Sequence, residues 1–167
     1  EGPAEAPAAA GAQPPMPPMP PDHAAVPSAA APFQATVPAG WTVKASTKAL
    51  HHTFGGDGEV YVAQLSGDAR AMFDIWRGEF GQREPLTDEA MAALPKVAML
   101  GGDGRLLDVR GDWQGMSGKQ IPGARMLVAV RAEGGSITFA TLVGKAADVE
   151  AQAEAFSGFC ASLRRAP

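Results

Sequence analysis

The sequence predicts an α+β domain, an antiparallel sheet flanked by amphipathic helices, behind an extended N-terminal tail. Three observations predict it. Short runs of alternating β-branched and aromatic residues gather on either side of a central stretch and are closed by glycine-rich turns. Within that central stretch Ala69, Met72, Phe73, Trp76 and Phe80 fall at i, i+3, i+4, i+7 and i+11, one face of a helix. The first 40 of the 167 residues hold 11 of the 15 prolines and no lysine or arginine. The expected division is therefore residues 1–32 as a Pro/Ala-rich tether and 33–167 as a single globular domain.

In the tether, proline removes backbone donors and fixes φ, so neither helix nor sheet propagates. Pro14, Pro15, Met16, Pro17, Pro18, Met19, Pro20 and Pro21 are expected to form a polyproline II rod. The domain opens with Phe33, Ala35 and Val37 alternating, and Pro38-Ala39-Gly40-Trp41 reads as a turn that presents a large aromatic. Strands are expected from Trp41, over His52-Thr53-Phe54, and over Val60 to Leu65. After the Ala69–Phe80 helix, Gly81 suits a helix end and Thr87 can cap a second helix with Met91, Leu94 and Val97 on its face. Pro95 makes that helix short or broken.

Gly101-Gly102-Asp103-Gly104 is expected to turn the chain into a strand from Leu106 to Trp113, with Leu107, Val109 and Trp113 on one face. Met126, Val128 and Val130 then alternate, Gly134-Gly135 turns, and Ile137, Phe139 and Val143 answer. Asp148 is expected to cap a terminal helix whose face is Val149, Ala153, Phe156, Cys160 and Leu163. Strand clusters joined by hairpins imply an antiparallel sheet, and the helices must bury their stripes against it.

Composition excludes several classes. The tether carries three of the acids, leaving 14 bases against 15 acids in the domain, with no basic stripe of the kind nucleic-acid phosphates require. No stretch approaches the roughly 20 apolar residues of a membrane span. The lone Cys160 cannot form an internal disulfide and reads as a core thiol. A Pro/Ala-rich start leading into a domain is common in exported bacterial proteins, including lipoproteins. The expectation is a periplasmic, membrane-associated protein whose secretion signal has been removed, with a lipid-bearing cysteine before Glu1 as one fitting anchor.

No catalytic constellation is evident. Gly115-Met116-Ser117-Gly118 lacks the spacing of a nucleophile elbow. The Gly-Gly-Asp-Gly segments at 55 and 101 lack a phosphate loop's Gly-Lys-Ser/Thr ending. Asp74 and Glu79 stand five apart on a helix and read as solvated surface, and Trp76 reads as core with Arg77 paired to an acid or snorkelling. Met16, Met19 and His23, with His51 and His52, carry soft thioether and imidazole donors suited to copper. Adjacent strand histidines point to opposite faces, however, which opposes joint ligation by His51 and His52. Neither a metal nor a cofactor is assigned.

The element order, with Pro38-Ala39-Gly40-Trp41 at the entry and Ala161-Ser162-Leu163 at the close, resembles the PsbP-like fold, an α/β/α sandwich. The segment Phe73 to Gly81 is also similar to a helix signature of uncharacterised bacterial exported lipoproteins. The Trp76-Arg77 pair and Gly81 match it, while its Asn and Gln do not. The resemblance implies a non-catalytic, exported accessory subunit that docks on a membrane-bound complex, photosynthetic or otherwise electron-transferring. Pro14 to Pro21, with Met16 and Met19 as apolar anchors, are the expected partner-binding residues. The alternative is a periplasmic copper or small-ligand binding protein.

Overall fold

The computed structural model describes residues 32–116 and 118–167. Every strand pairing among them is antiparallel. The strands are β1 (Phe33–Gln34), β2 (Thr42–Val43), β3 (Leu50–Thr53), β4 (Glu59–Ser66), β5 (Lys96–Met99), β6 (Gly102–Gln114), β7 (Gln120–Glu133), β8 (Ser136–Lys145) and β9 (Arg164–Arg165). The helices are α1 (Ala69–Gly78), α2 (Asp88–Ala93) and α3 (Ala146–Ser162). Seven strands form one sheet in the order β2-β3-β4-β8-β7-β6-β5, and β1 pairs with β9 in a separate ribbon.

Both faces of the sheet are covered. On one face Val60, Val62, Leu127, Ala129, Ala140 and Leu142 pack with Val149, Phe156, Phe159 and Cys160 of α3. On the other, Val109, Met126, Val128, Ile137 and Phe139 pack with Phe73 and Trp76 of α1 and with Phe80. Alternation along β7 and β8 therefore sorts two apolar sets rather than an apolar from a polar set. That is why Met126 to Val130 and Ile137 to Val143 read as nearly continuous apolar runs.

The helix predicted over 69–80 is present over Ala69–Gly78, with Phe80 in the turn that follows, and is capped by Asp68, whose carboxylate accepts from the Arg70 N–H. Trp76 is buried, and Arg77 donates to the Glu84 carbonyl (2.6 Å) and Gln82 Oε1 (3.2 Å). Thr87 caps α2 as expected, its Oγ1 accepting from the Ala90 N–H.

Several expectations are corrected. The α2 face does not continue to Val97: the helix stops at Ala93, before Pro95, and Val97 lies in β5 on the α3 side of the sheet. Residues 101–104 are not a turn. Gly102 already pairs with Met99, and the two-residue turn is Leu100-Gly101, at φ 53° and 74°. A leucine with positive φ carries no sequence signal. It is held there by the Arg131 guanidinium, which donates to the Met99 (3.0 Å) and Leu100 (2.6 Å) carbonyls.

The terminal helix begins at Ala146, and Asp148 sits in its first turn rather than at its cap. The Trp41 turn does not present its indole. Trp41 is buried against Phe159 (5.2 Å between ring centroids), and its Nε1 donates to Gln152 Oε1 at 2.8 Å. Only Phe33-Gln34 of the opening run forms a strand; Phe33 is buried and Val37 is exposed.

Gly104 explains a second glycine of the corrected segment. A Cβ there would stand 2.7 Å from the Val130 carbonyl oxygen and 2.7 Å from Met99 Sδ. Because the first contact is backbone of a central strand, Gly104→Ala is expected to destabilise by about 1–3 kcal/mol. Urea denaturation checks this, with an unchanged slope.

Candidate functional site

The strand β4 alternates. Its even positions Val60 and Val62 enter the α3-side core, so Glu59, Tyr61, Ala63 and Leu65 line the α1 side in a row. At roughly 3.3 Å per residue this row is about 20 Å long. The chain then turns through Asp68 into α1, which runs back so that Met72, Trp76 and Glu79 form the facing wall. Phe139, opposite Ala63 on β8, completes the apolar floor, with Trp76 and Phe139 edge to face at 5.0 Å. The cleft between them, open to solvent on one side, holds about 570 Å³.

One end is apolar, with Leu65 42 % exposed. The other end is charged. Lys44 Nζ lies 2.5 Å from Glu59 Oε1, and Lys119 Nζ lies 3.4 Å from Oε2 and 3.0 Å from the Asp57 carbonyl oxygen. Lys48 Nζ stands 5.0 Å above the centre of the Tyr61 ring. Met116, 89 % exposed, also lines the cavity.

Burial opposes the Glu59 charge, but hydrogen bonds from Lys44 and His51 and the fields of Lys119 and Lys44 outweigh it, and its pKa falls. Burial pushes the His51 pKa down against the raising pull of Glu59. The neutral ring then has an assigned tautomer. Nε2–H donates to Glu59 Oε1 at 3.1 Å, and Nδ1 accepts from Ser46 Oγ at 2.7 Å. Burial also pushes the Tyr61 phenol up to about 12. Its cross-strand neighbour Thr141 pulls the other way without an aligned hydrogen bond. Glu79 is half-buried and raised by that burial, while its Oε1 accepts from Trp113 Nε1 at 2.9 Å.

No protein-family model and no characterised protein matches the chain. Several solved structures are similar to it, among them two bacterial proteins. One is LpqN of Mycobacterium tuberculosis, described as involved in cell envelope biogenesis; it is 13 % identical at a TM-score of 0.46, over 81 % of this chain and 83 % of LpqN. The other is a protein of Bacteroides thetaiotaomicron VPI-5482, 12 % identical at a TM-score of 0.44, over 81 % of this chain. The chain spans under half the length of that protein, 45 %.

The predicted site residues divide sharply. Pro14 to Pro21, Met16, Met19, His23 and Ser117 lie outside the described residues. His51 and His52 do point to opposite faces: His52 is buried, its ring centroid 6.3 Å from that of Trp41 and 6.4 Å from that of Phe159. Among the described residues no group of three or more His, Cys, Asp and Glu is placed to hold a metal ion. Asp74 and Glu79 are not simple solvated surface, since Asp74 accepts from the Leu86 N–H (2.8 Å) and Glu79 from Trp113. Sequence reasoning missed Ser46, Lys48, Glu59, Tyr61 and Lys119. The alternation of Glu59, Tyr61, Ala63 and Leu65 was the available signal.

Ser46, His51 and Glu59 form a hydrogen-bonded chain in the order used by serine hydrolases. The Lys48 N–H, a donor that an oxyanion would need free, is spent on Ser46 Oγ at 3.0 Å. Glu59 is already shared with two ammonium groups, which weakens its hold on an imidazolium. The chain ties the β2–β3 connection to β4.

His52 gives a pH dependence. Its pKa is lowered by burial first and by the neighbouring His51 second, and its buried Nδ1 has no hydrogen-bond partner among the described residues. Above pH 6.5 both folded and unfolded forms are neutral; below it the unfolded chain takes up a proton that the folded one resists. Stability is therefore full above pH 6.5 and is lost as pH falls toward the folded value. His52→Leu should flatten this acid limb in a series of melting curves from pH 7.5 to 5. His51, shifted in the same direction, leaves part of it.

Proposed function

We propose that this chain is an exported, non-catalytic accessory protein whose domain works by binding a small amphipathic ligand in the cavity between β4 and α1. The observation that carries this is the cavity itself. Its volume of about 570 Å³ is that of a small-molecule site, it has an apolar floor, and its polar groups gather at one end. Export is supported by the Pro/Ala-rich tether and by the PsbP-like resemblance, whose members are mostly non-catalytic. No described helix is long and apolar enough to cross a membrane.

N-phenyl-1-naphthylamine, an uncharged apolar dye, tests the cavity directly. The wild-type protein should enhance its fluorescence saturably at one site per chain. Ala63→Trp, which fills the floor, should abolish the enhancement in a protein that still melts cooperatively. Equal dye binding by both proteins would sink the reading. Turnover of p-nitrophenyl butyrate that disappears in Ser46→Ala would overturn its non-catalytic part.

A second reading concerns residues 14–21, where two methionines punctuate six prolines. Polyproline loses little conformational entropy on binding, so this segment is suited to lie along a groove of a membrane-bound complex. Membranes of the source organism, mixed with the full chain and with a chain lacking residues 14–21, test it. Subunits of one complex retained by the first and lost by the second are the expected result; equal retention excludes the segment.

A further inference from the structure

We infer that the ligand is a single-chain amphiphile with an anionic head group, bound with the head at Lys44, Lys48 and Lys119 and the chain along β4 toward Leu65. This rests on the binding function proposed above and names its ligand class.

The charged end sets the sign. Lys44 and Lys119 share Glu59 as their carboxylate, Lys48 stands over the Tyr61 ring beside them, and His51 is neutral. Even with Glu79 counted as ionised, three positive charges meet two negative ones. Glu79 is turned to the Trp113 indole rather than to a lysine. Lys48 lies over a ring face and, among the described residues, has no carboxylate within 4.0 Å, which leaves its ammonium available to an anion. The Ser46 hydroxyl beside it is committed to His51 and is not counted as a head-group donor.

The groove sets the rest of the molecule. From Glu59 the lining passes through Tyr61 and Ala63 to Leu65, polar to apolar in one direction. The opposite wall passes from Glu79 through Trp76 to Met72 in the same sense. A charged head and an apolar body are therefore placed at opposite ends of one cleft of about 570 Å³, along a strand row about 20 Å long. That favours one chain over two, and an elongated ligand over a compact one.

Displacement of bound N-phenyl-1-naphthylamine tests the class, below the micelle concentration of each competitor. Decanoate and decyl phosphate should displace the dye, and the comparison shows whether a carboxylate or a phosphate head is preferred. Decanol should compete at least tenfold more weakly, and decyltrimethylammonium not at all. Raising the salt concentration should weaken the anions and leave decanol unchanged.

The triple variant Lys44→Met, Lys48→Met, Lys119→Met should lose at least tenfold in decanoate affinity while still binding the dye. Because it strips Glu59 of partners, Lys48→Met alone serves as the folding-safe variant, with a loss of roughly threefold. Decanol matching decanoate, or unchanged decanoate affinity in both variants, would overturn the anionic assignment and leave the cavity reading intact. Absence of dye binding by the wild type would remove both.

Discussion

Phe156→Ala should destabilise the domain by about 3–5 kcal/mol, the cost of deleting a fully buried aromatic ring and leaving part of its cavity unfilled. Phe156 is 2 % exposed and sits midway along α3, between Val149 and the Phe159–Cys160 pair that closes the same core. For a domain of this size the melting temperature should fall by roughly 10–20 °C. The loss should be confined to stability, because α3 lies on the face of the sheet away from the ligand cavity. Dye affinity, measured well below the new melting point, should match the wild type. Cys160 supplies a second readout. It is wholly buried, and burial pushes its thiol up to about 12, so it should resist thiol reagents until the helix opens. Its labelling rate in Phe156→Ala should rise with the population of opened molecules. A variant that melts within a degree or two of wild type would show that α3 is not what closes this side of the sheet.

Glu59→Gln should move stability and ligand affinity in opposite directions. The side chain is 12 % exposed and serves Lys44, Lys119 and His51 together. Glutamine keeps one acceptor oxygen but removes the charge, so two charge-assisted bonds become weaker ones. The lysines are 47 % and 31 % exposed, and water screens much of the loss. The expected cost is therefore only about 1 kcal/mol. The same change leaves Lys44 and Lys119 without their shared carboxylate, next to the Lys48 ammonium. Decanoate affinity should rise roughly three- to tenfold, chiefly at low salt. Decanol affinity should stay where it was. If decanoate affinity falls along with stability, Glu59 acts on the ligand only by holding the rim in shape, and the head group does not meet the lysines.

The legibility of the fold followed the range of the interactions that define it. The α1 stripe from Ala69 to Phe80 is a local periodicity, and it was read with its residues in the right places. The apolar runs of β7 and β8 were also plain, but which face each residue takes depends on α3 arriving from the far end of the chain. Leu127, Ala129, Ala140 and Leu142 thus form a second core that alternation alone does not announce. The Leu100-Gly101 turn was illegible because a guanidinium 31 residues after the leucine, that of Arg131, holds it in a conformation it rarely adopts.

The site was less visible than the fold. Glu59, Tyr61, Ala63 and Leu65 could be placed on one face of a strand from the sequence. Their meeting with Lys44 and His51 depends on the pairing of His51 with Tyr61. Lys119 arrives from the β6–β7 connection, 60 residues beyond Glu59 in the chain. A cluster assembled from three separate hairpins leaves no spacing motif. The single conspicuous pair, His51-His52, belongs to two environments and marks no joint site.

The ribbon of β1 and β9 brings the start and the finish of the described chain together. Phe33 stands opposite Arg165, and the Ala166 N–H donates to the Pro32 carbonyl at 2.9 Å. Entry and exit thus share one doorway. Polypeptide leading into the domain and polypeptide leading out of it would leave side by side, like the two ends of a thread passed through a bead. The fold is therefore portable. It could hang from a flexible leader, or be set into a surface loop of a larger protein, without its sheet being unpicked.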